Sequence, residues 1–211
     1  MPTEAAAEAL RILRDGSQFQ WYVIPLFALM VYVYAVEVER RNWNLVLAGL
    51  AFWGMDWFNE IWNALVFHFT QFAPVWGAPG DTAYLILIGL NIEICFMFSI
   101  AGVAFSKMLP PDRQTRILGM PNRLFLAIFG AAFCVFVEVL LNRIDALTWD
   151  WPWWSARAPW LIFLFGYLHF FLVSFWVHDM KLLKSKLTAV GIIYSVNIAS
   201  IIVFGVVLNW I

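Results

Sequence analysis

Residues 44–67 read NLVLAGLAFWGMDWFNEIWNALVF, and this stretch decides the fold. A bilayer core about 30 Å thick needs about 20 apolar residues per helix, so the segment is expected to cross it as a helix. Its polar residues are not scattered. At about 100° per residue, Asp56, Asn59, Glu60 and Asn63 fall within an arc of about 100°. An ionisable group at that depth costs at least ~2.5–3.5 kcal/mol on insertion scales. The stripe is therefore expected to face the inside of a helical bundle.

The rest of the chain has the composition of such a bundle. Its 211 residues are 63% hydrophobic and only 13% charged, with mean hydropathy +0.78. A soluble domain carries about 25% charged residues, so a water-facing surface could not be covered. Apolar runs at roughly 20–37, 44–67, 82–105, 124–146, 159–178 and 188–210 predict an all-α, polytopic integral membrane protein of about six transmembrane helices. Breaker chemistry separates them at Gly77-Ala78-Pro79-Gly80, Leu109-Pro110-Pro111-Asp112 and Trp151-Pro152-Trp153-Trp154. No internal repeat is seen, and residues 1–211 read as one domain. Residues 3–15, within a polar segment 1–16, predict a short amphipathic helix on the membrane surface, with Leu10, Ile12 and Leu13 on one side. No cleavable signal peptide is expected there, so the first span is expected to serve as its own membrane signal.

Orientation is read from Lys and Arg. Nine of the thirteen, Arg40, Arg41, Lys107, Arg113, Arg116, Arg123, Lys181, Lys184 and Lys186, fall in the first, third and fifth loops. These loops are expected to face the cytoplasm, with both termini outside, although Arg11 and Arg14 beside the first span pull the other way. In a bacterium this would be the plasma or inner membrane. Net charge of -1 gives no basic surplus for nucleic acid. Cys95 and Cys134 lie inside apolar runs without CxxC or Cys/His spacing and read as buried thiols. Trp149, Trp151, Trp153, Trp154 and Trp160 crowd one loop as an interfacial aromatic belt, one that could also roof a cavity.

Four other spans add polar groups: Glu93 in the third, Glu138 and Asn142 four apart in the fourth, His169 in the fifth and Asn197 in the sixth. Counting 1.5 Å per residue from each midpoint puts Asp56, Glu93, His169 and Asn197 within about 3 Å of the midplane. Glu60 and Glu138 fall about 5–7 Å towards the outer side. Structural glue would explain a single Asn197, since interhelical amide bonds hold membrane bundles together. Four carboxyls and a histidine without a central Lys or Arg point to function, because intramembrane ionisable groups are expensive. With no cation beside them, some of these acids are expected to keep their protons.

Several chemistries are excluded. A retinal Schiff base needs a central Lys. A bis-His haem needs two facing histidines, but His68 and His178 end their spans on opposite sides. Glu-x-x-His pairs of di-iron bundles and the His clusters of membrane desaturases are absent. Asp56, Glu60, Glu93, Glu138 and His169 remain a candidate oxygen-rich site for one or two divalent cations; otherwise no cofactor is expected.

Trp57-Phe58-Asn59-Glu60, the acids on later helices and the chain size together resemble the small integral-membrane terpene cyclases of meroterpenoid pathways. They are also similar to the emopamil-binding sterol isomerases. The resemblance lies in architecture and site chemistry, and about six spans departs from the seven usual in the cyclases. It implies protonation of an alkene or epoxide in a lipophilic isoprenoid or steroid, followed by cyclisation or proton loss. Asp56 or Glu60 would be the acid, Glu93 or Glu138 its electrostatic partner, and His169 the final proton acceptor. Asn59, Asn63, Asn142, Asn197, Trp53 and Trp57 would bind substrate arriving from the bilayer. Two other classes remain: a proton- or cation-coupled transporter, using the same carboxyls as a relay or ion site, and a non-catalytic subunit of a membrane complex, docking through lipid-facing Trp and Phe.

Overall fold

The computed structural model describes residues 1–211, the Gln18 side chain excepted, and is mostly helical. A short helix, α1 (Glu4–Ile12), precedes α2 (Val23–Glu39), α3 (Trp43–Thr70), α4 (Ile92–Lys107), α5 (Asn122–Arg143), α6 (Pro159–Asp179) and α7 (Leu183–Val207). Helices α6 and α7 contain π-helical stretches at Ile162–Leu168 and Ile201–Val207. Two small antiparallel hairpins pair β1 (Leu85–Leu87) with β2 (Leu90–Asn91) and β3 (Arg116–Ile117) with β4 (Met120–Pro121). By length and composition, α5, α6 and α7 are each apolar enough to cross a membrane.

Helix α3 is the hub and packs against α2, α4, α6 and α7. Its crossing with α4 is close because glycines meet there: a Cβ on Gly102 would sit 2.8 Å from the Gly49 carbonyl oxygen. Small residues let helix backbones approach where lipid supplies no hydrophobic drive to associate. Buried hydroxyls tie the same crossing to α6. Ser174 Oγ donates to the Ala48 carbonyl at 2.9 Å and lies 3.2 Å from Ser106 Oγ. Beneath them an aromatic layer interlocks, with the Phe171 ring centroid 4.9 Å from those of both Phe52 and Phe105. Helix α5 leans on α6 and scarcely touches α4, so a gap runs between α4 and α5.

The third span differs from the expected 82–105. Helix α4 begins only at Ile92, and residues 85–91 form the first hairpin. Two local features stop a helix from starting earlier. Gly89 presses its backbone so close to the bundle that a Cβ would lie 2.8 Å from both Glu60 Oε2 and Trp76 Cδ1. Asn91 then caps α4, its side-chain oxygen accepting the Ile94 N–H at 2.8 Å, which satisfies a donor the first turn leaves open.

Helix α1 also sits differently from the expectation. Ala6 and Ala9 are buried, Ala9 packing with Ala78, Leu85 and Ile88 and with the partly buried Ile12 and Leu13, while Leu10 is exposed. Thr3 caps the helix, and Thr3 Oγ1 donates to Asp150 at 2.8 Å. The Arg14 N–H donates to the Leu85 carbonyl at 2.9 Å. The amino-terminal segment is thus stitched over the hairpin, and these loops close one end of the bundle.

Candidate functional site

A cavity of about 250 Å³ lies at the gap between α4 and α5. Its inner wall is the polar stripe of α3, with Asp56, Asn59 and Glu60, faced by Glu138 from α5 and Tyr167 from α6. Trp76, Gly89, Leu147 and Trp154 from the loops roof it. Apolar side chains of α4 (Met97, Phe98, Ala101) and α5 (Phe133, Val137, Leu141) form the flanks. Met97 and Phe133 are exposed on the bundle surface, so the cavity reaches the lateral face.

The three acids form one group. Asp56 interacts electrostatically with Glu60, and Glu60 with Glu138. Glu60 accepts the Trp76 indole N–H at 2.9 Å, and Glu138 accepts that of Trp149 at 2.9 Å. Tyr167 and Trp154 lie beside the Glu138 carboxyl. The second Glu60 oxygen, Oε2, and Asp56 Oδ2 are buried without a hydrogen bond to any described residue. Buried polar groups are usually satisfied, so these two carboxyl oxygens, packed behind the cavity wall, make the acidic group costly to bury in its charged form. No Lys, Arg or His lines the cavity.

Asn59 is set by the π-helical stretch of α6. A widened turn releases carbonyls from their usual helical partners. Those of Phe165 and Gly166 accept the Asn59 amide at 3.1 and 3.3 Å.

A family model described as an uncharacterized membrane protein family matches residues 3–206. The chain belongs to this family. An "Uncharacterized protein" of Archaeoglobus fulgidus is 58% identical over 211 residues, covering 100% of both chains. A second "Uncharacterized protein" of that organism is 43% identical over 53 residues, which is 25% of this chain and 95% of that one. No solved structure matches.

In this family member the expected site residues separate into two sets. Asp56, Asn59, Glu60 and Glu138 meet at the cavity. The others do not line it. Glu93, expected near the midplane, sits in the first turn of α4 because that helix starts late. There it accepts the Thr82 hydroxyl at 2.6 Å, the Ala83 N–H at 2.7 Å and the Tyr22 hydroxyl. His169 stands behind Asn59, with Nε2 3.2 Å from Asn59 Oδ1. Asn197 donates to the Gly54 carbonyl at 2.7 Å, joining α7 to α3. Asn142 donates to the Leu147 carbonyl at 3.0 Å and fixes the loop after α5. Trp53 and Trp57 lie on another face of α3, packed with Leu87, Leu90 and Cys95.

Among the described residues, no group of three or more His, Cys, Asp and Glu side chains is arranged to hold a metal ion. The expected five-residue oxygen-rich set is dispersed because Glu93 and His169 are turned elsewhere. Sequence reading missed Tyr167, Trp76 and Trp154 as wall residues. Only Trp154 had a signal, its place in a Trp-rich loop able to roof a cavity.

Proposed function

We propose that this protein is an integral-membrane enzyme that isomerises or cyclises a lipophilic, alkene-bearing substrate by protonating it. The supporting observation is that three acids, Asp56, Glu60 and Glu138, line one cavity whose flanks are apolar and aromatic, with no Lys, Arg or His among its lining residues. Three interacting acids in dry surroundings with no counter-cation cannot all carry charge cheaply, so a carboxylic acid is available to donate. The Asp56–Glu60 pair delivers its proton to an alkene or epoxide. The resulting cation is held by Glu138 and by the faces of Phe98, Phe133 and Tyr167. Loss of a proton to Glu138 ends the reaction, and return of that proton to Glu60 restores the acid with no net change in protons. His169 is replaced as final acceptor because Asn59 stands between it and the cavity. Helices α2 to α7 would all cross the bilayer, with basic loops in the cytoplasm and both termini outside. The substrate would enter between α4 and α5.

A proton-coupled transporter would need a water path from these acids to the basic side. The interlocked rings of Phe52, Phe105 and Phe171 fill that route, so the enzyme reading is preferred. A purely structural role would favour acids paired tightly with amides, and the cavity weighs against it.

The test is lipid extraction and mass spectrometry of cells expressing wild type or Glu60→Gln. Glutamine keeps an acceptor for Trp76 but has no acidic proton. A transformed lipid seen with wild type and lost with the variant is the expected result. Identical lipid profiles in both strains and in empty-vector cells would end the proposal.

A further inference from the structure

A second cavity, of about 380 Å³, lies at the opposite end of the bundle, where α3 begins and α4 and α6 end. Unlike the first it is lined by charge: Lys107, Arg113, Arg123 and Asp179, with Asn42 and Asn44 from the start of α3. The ion pairs here are unevenly matched. Arg123 grips Asp179 with Nε and Nη2 at 2.9 and 3.0 Å, and Arg113 shares the same carboxylate at 3.2 Å. Lys107 lies 2.6 Å from Glu37, which Arg40 also approaches at 3.8 Å. Lining the cavity are three cations, Lys107, Arg113 and Arg123, against one carboxylate, Asp179, an excess of two positive charges, while Glu37 and Arg40 lie behind Lys107 and offset each other.

The surplus faces the cavity. Glu37 is only 1% exposed, whereas the Lys107 and Arg113 side chains are 42% and 54% exposed. Lys107 holds one carboxylate with an ammonium that has three donors. The Asn44 amide has no partner among the described residues and stands in the first turn of α3, whose helix dipole adds positive potential. The carbonyl ends of α6, which would oppose an anion, are covered from behind: Lys186 donates to Val177 O at 2.8 Å and to His178 O.

We infer that this cavity binds a phosphate group, held by Lys107, Arg113 and Asn44. Two net positive charges and donors from three elements suit a tetrahedral dianion. Leu45, Leu109 and Met180 on the rim would suit the first carbons of a lipid. The phosphate comes either from a lipid headgroup or from solution, and basic pockets between membrane helices recognise headgroups in this way. The inference is independent of the chemistry proposed for the first cavity, because the Phe52, Phe105 and Phe171 layer separates the two sites.

The full chain in a non-ionic detergent is followed by thermal unfolding with four additions. These are phosphatidic acid, diacylglycerol with the same acyl chains, sodium phosphate, and sodium chloride at matched ionic strength. Arg113→Gln removes one donor while Arg123 keeps Asp179 paired. Asn44→Asp places a carboxylate in the cavity at a helix start, where an acidic residue is compatible with folding. Phosphatidic acid should raise the wild-type midpoint and diacylglycerol should not. Both variants should unfold near wild type without ligand and bind the phosphate group about tenfold more weakly or worse. A rise with phosphatidic acid alone assigns a headgroup, and an equal rise with sodium phosphate assigns a soluble source. If neither phosphate compound exceeds its control, or if both variants respond fully, the inference is overturned.

Discussion

Asn63 of α3 holds the backbone of Trp76 by both of its polar groups. The Asn63 amide donates to the Trp76 carbonyl at 2.7 Å, and its side-chain oxygen accepts the N–H groups of Trp76 at 3.3 Å and Val75 at 2.7 Å. One turn away, Glu60 accepts the indole of the same Trp76. A loop outside the helices is thereby fixed to two successive turns of α3, and that loop roofs the acidic cavity.

Replacing Asn63 by Ala would leave three backbone groups buried without partners. Each orphaned group costs about 1–3 kcal/mol, and partial relaxation should hold the total near 2–4 kcal/mol. The expected outcome is a lower thermal midpoint and faster proteolysis within residues 71–91, measured on purified protein. Asn63→Asp keeps the acceptor but sets an oxygen against the Trp76 carbonyl and a further acid beside Glu60, so it should be no milder than Ala. An Ala variant as stable as wild type would show that the loop is held by other means.

The crossing of α3 and α4 gives a second prediction. A Cβ on Gly102 would meet Gly49 O and Phe52 Cβ at 2.8 Å each, and the first of these is backbone. Gly102→Val should therefore push the helices apart and destabilise the protein by about 1–3 kcal/mol or more, as overpacking does. Gly191→Val is the control, because no atom lies within 4 Å of a Cβ there. Thermal unfolding of the two variants side by side should separate them clearly.

The same packing explains what could be read from the chain and what could not. The inward stripe of Asp56, Asn59 and Glu60 was legible because helical periodicity and the cost of charge in lipid both act locally on α3. Glu138 was legible for the same reasons. Glu93 was not. Residues 82–91 are as apolar as a span, and hydropathy cannot distinguish a buried hairpin from the first turns of a helix. The Asn91 cap and the close approach of Gly89 to Glu60 and Trp76 together set the late start of α4, and the second is a tertiary contact that hydropathy does not carry. Tyr167, Trp76 and Trp154 reach the cavity through tertiary contacts between segments far apart in sequence, which periodicity does not encode.

Glu93 and Glu60 should consequently respond differently to amide substitution. Glu93 accepts from Tyr22, Thr82 and Ala83 and so fastens the linker before α2 to the start of α4. Glu93→Gln should lower the thermal midpoint by an amount corresponding to about 1–3 kcal/mol while leaving any lipid transformation per folded molecule near wild type. Glu60→Gln should do the reverse, with a small stability change and product formation reduced by about 10²–10⁴-fold if it is the proton donor. Equal product loss in both variants, after correction for folded protein, would show that Glu93 and Glu60 do not divide into a fastening acid and a reacting one.

Ala101 provides a test of the cavity that leaves every acid in place. It lies on the α4 flank, between Phe98 and Phe105, where the cavity meets the gap to α5. Ala101→Trp would fill much of the roughly 250 Å³ with an indole, and the gap gives the larger side chain room without forcing α3 and α4 apart. Folding should therefore survive, as judged by a midpoint close to wild type, whereas a substrate entering from the bilayer would be shut out. The expected reading is product loss of at least about tenfold, the scale on which a hydrophobic pocket discriminates by size. Ala101→Gly should keep turnover, because it only enlarges the flank. Full turnover in the Trp variant would mean that the chemistry does not occur in this cavity, whatever the acids on α3 are doing.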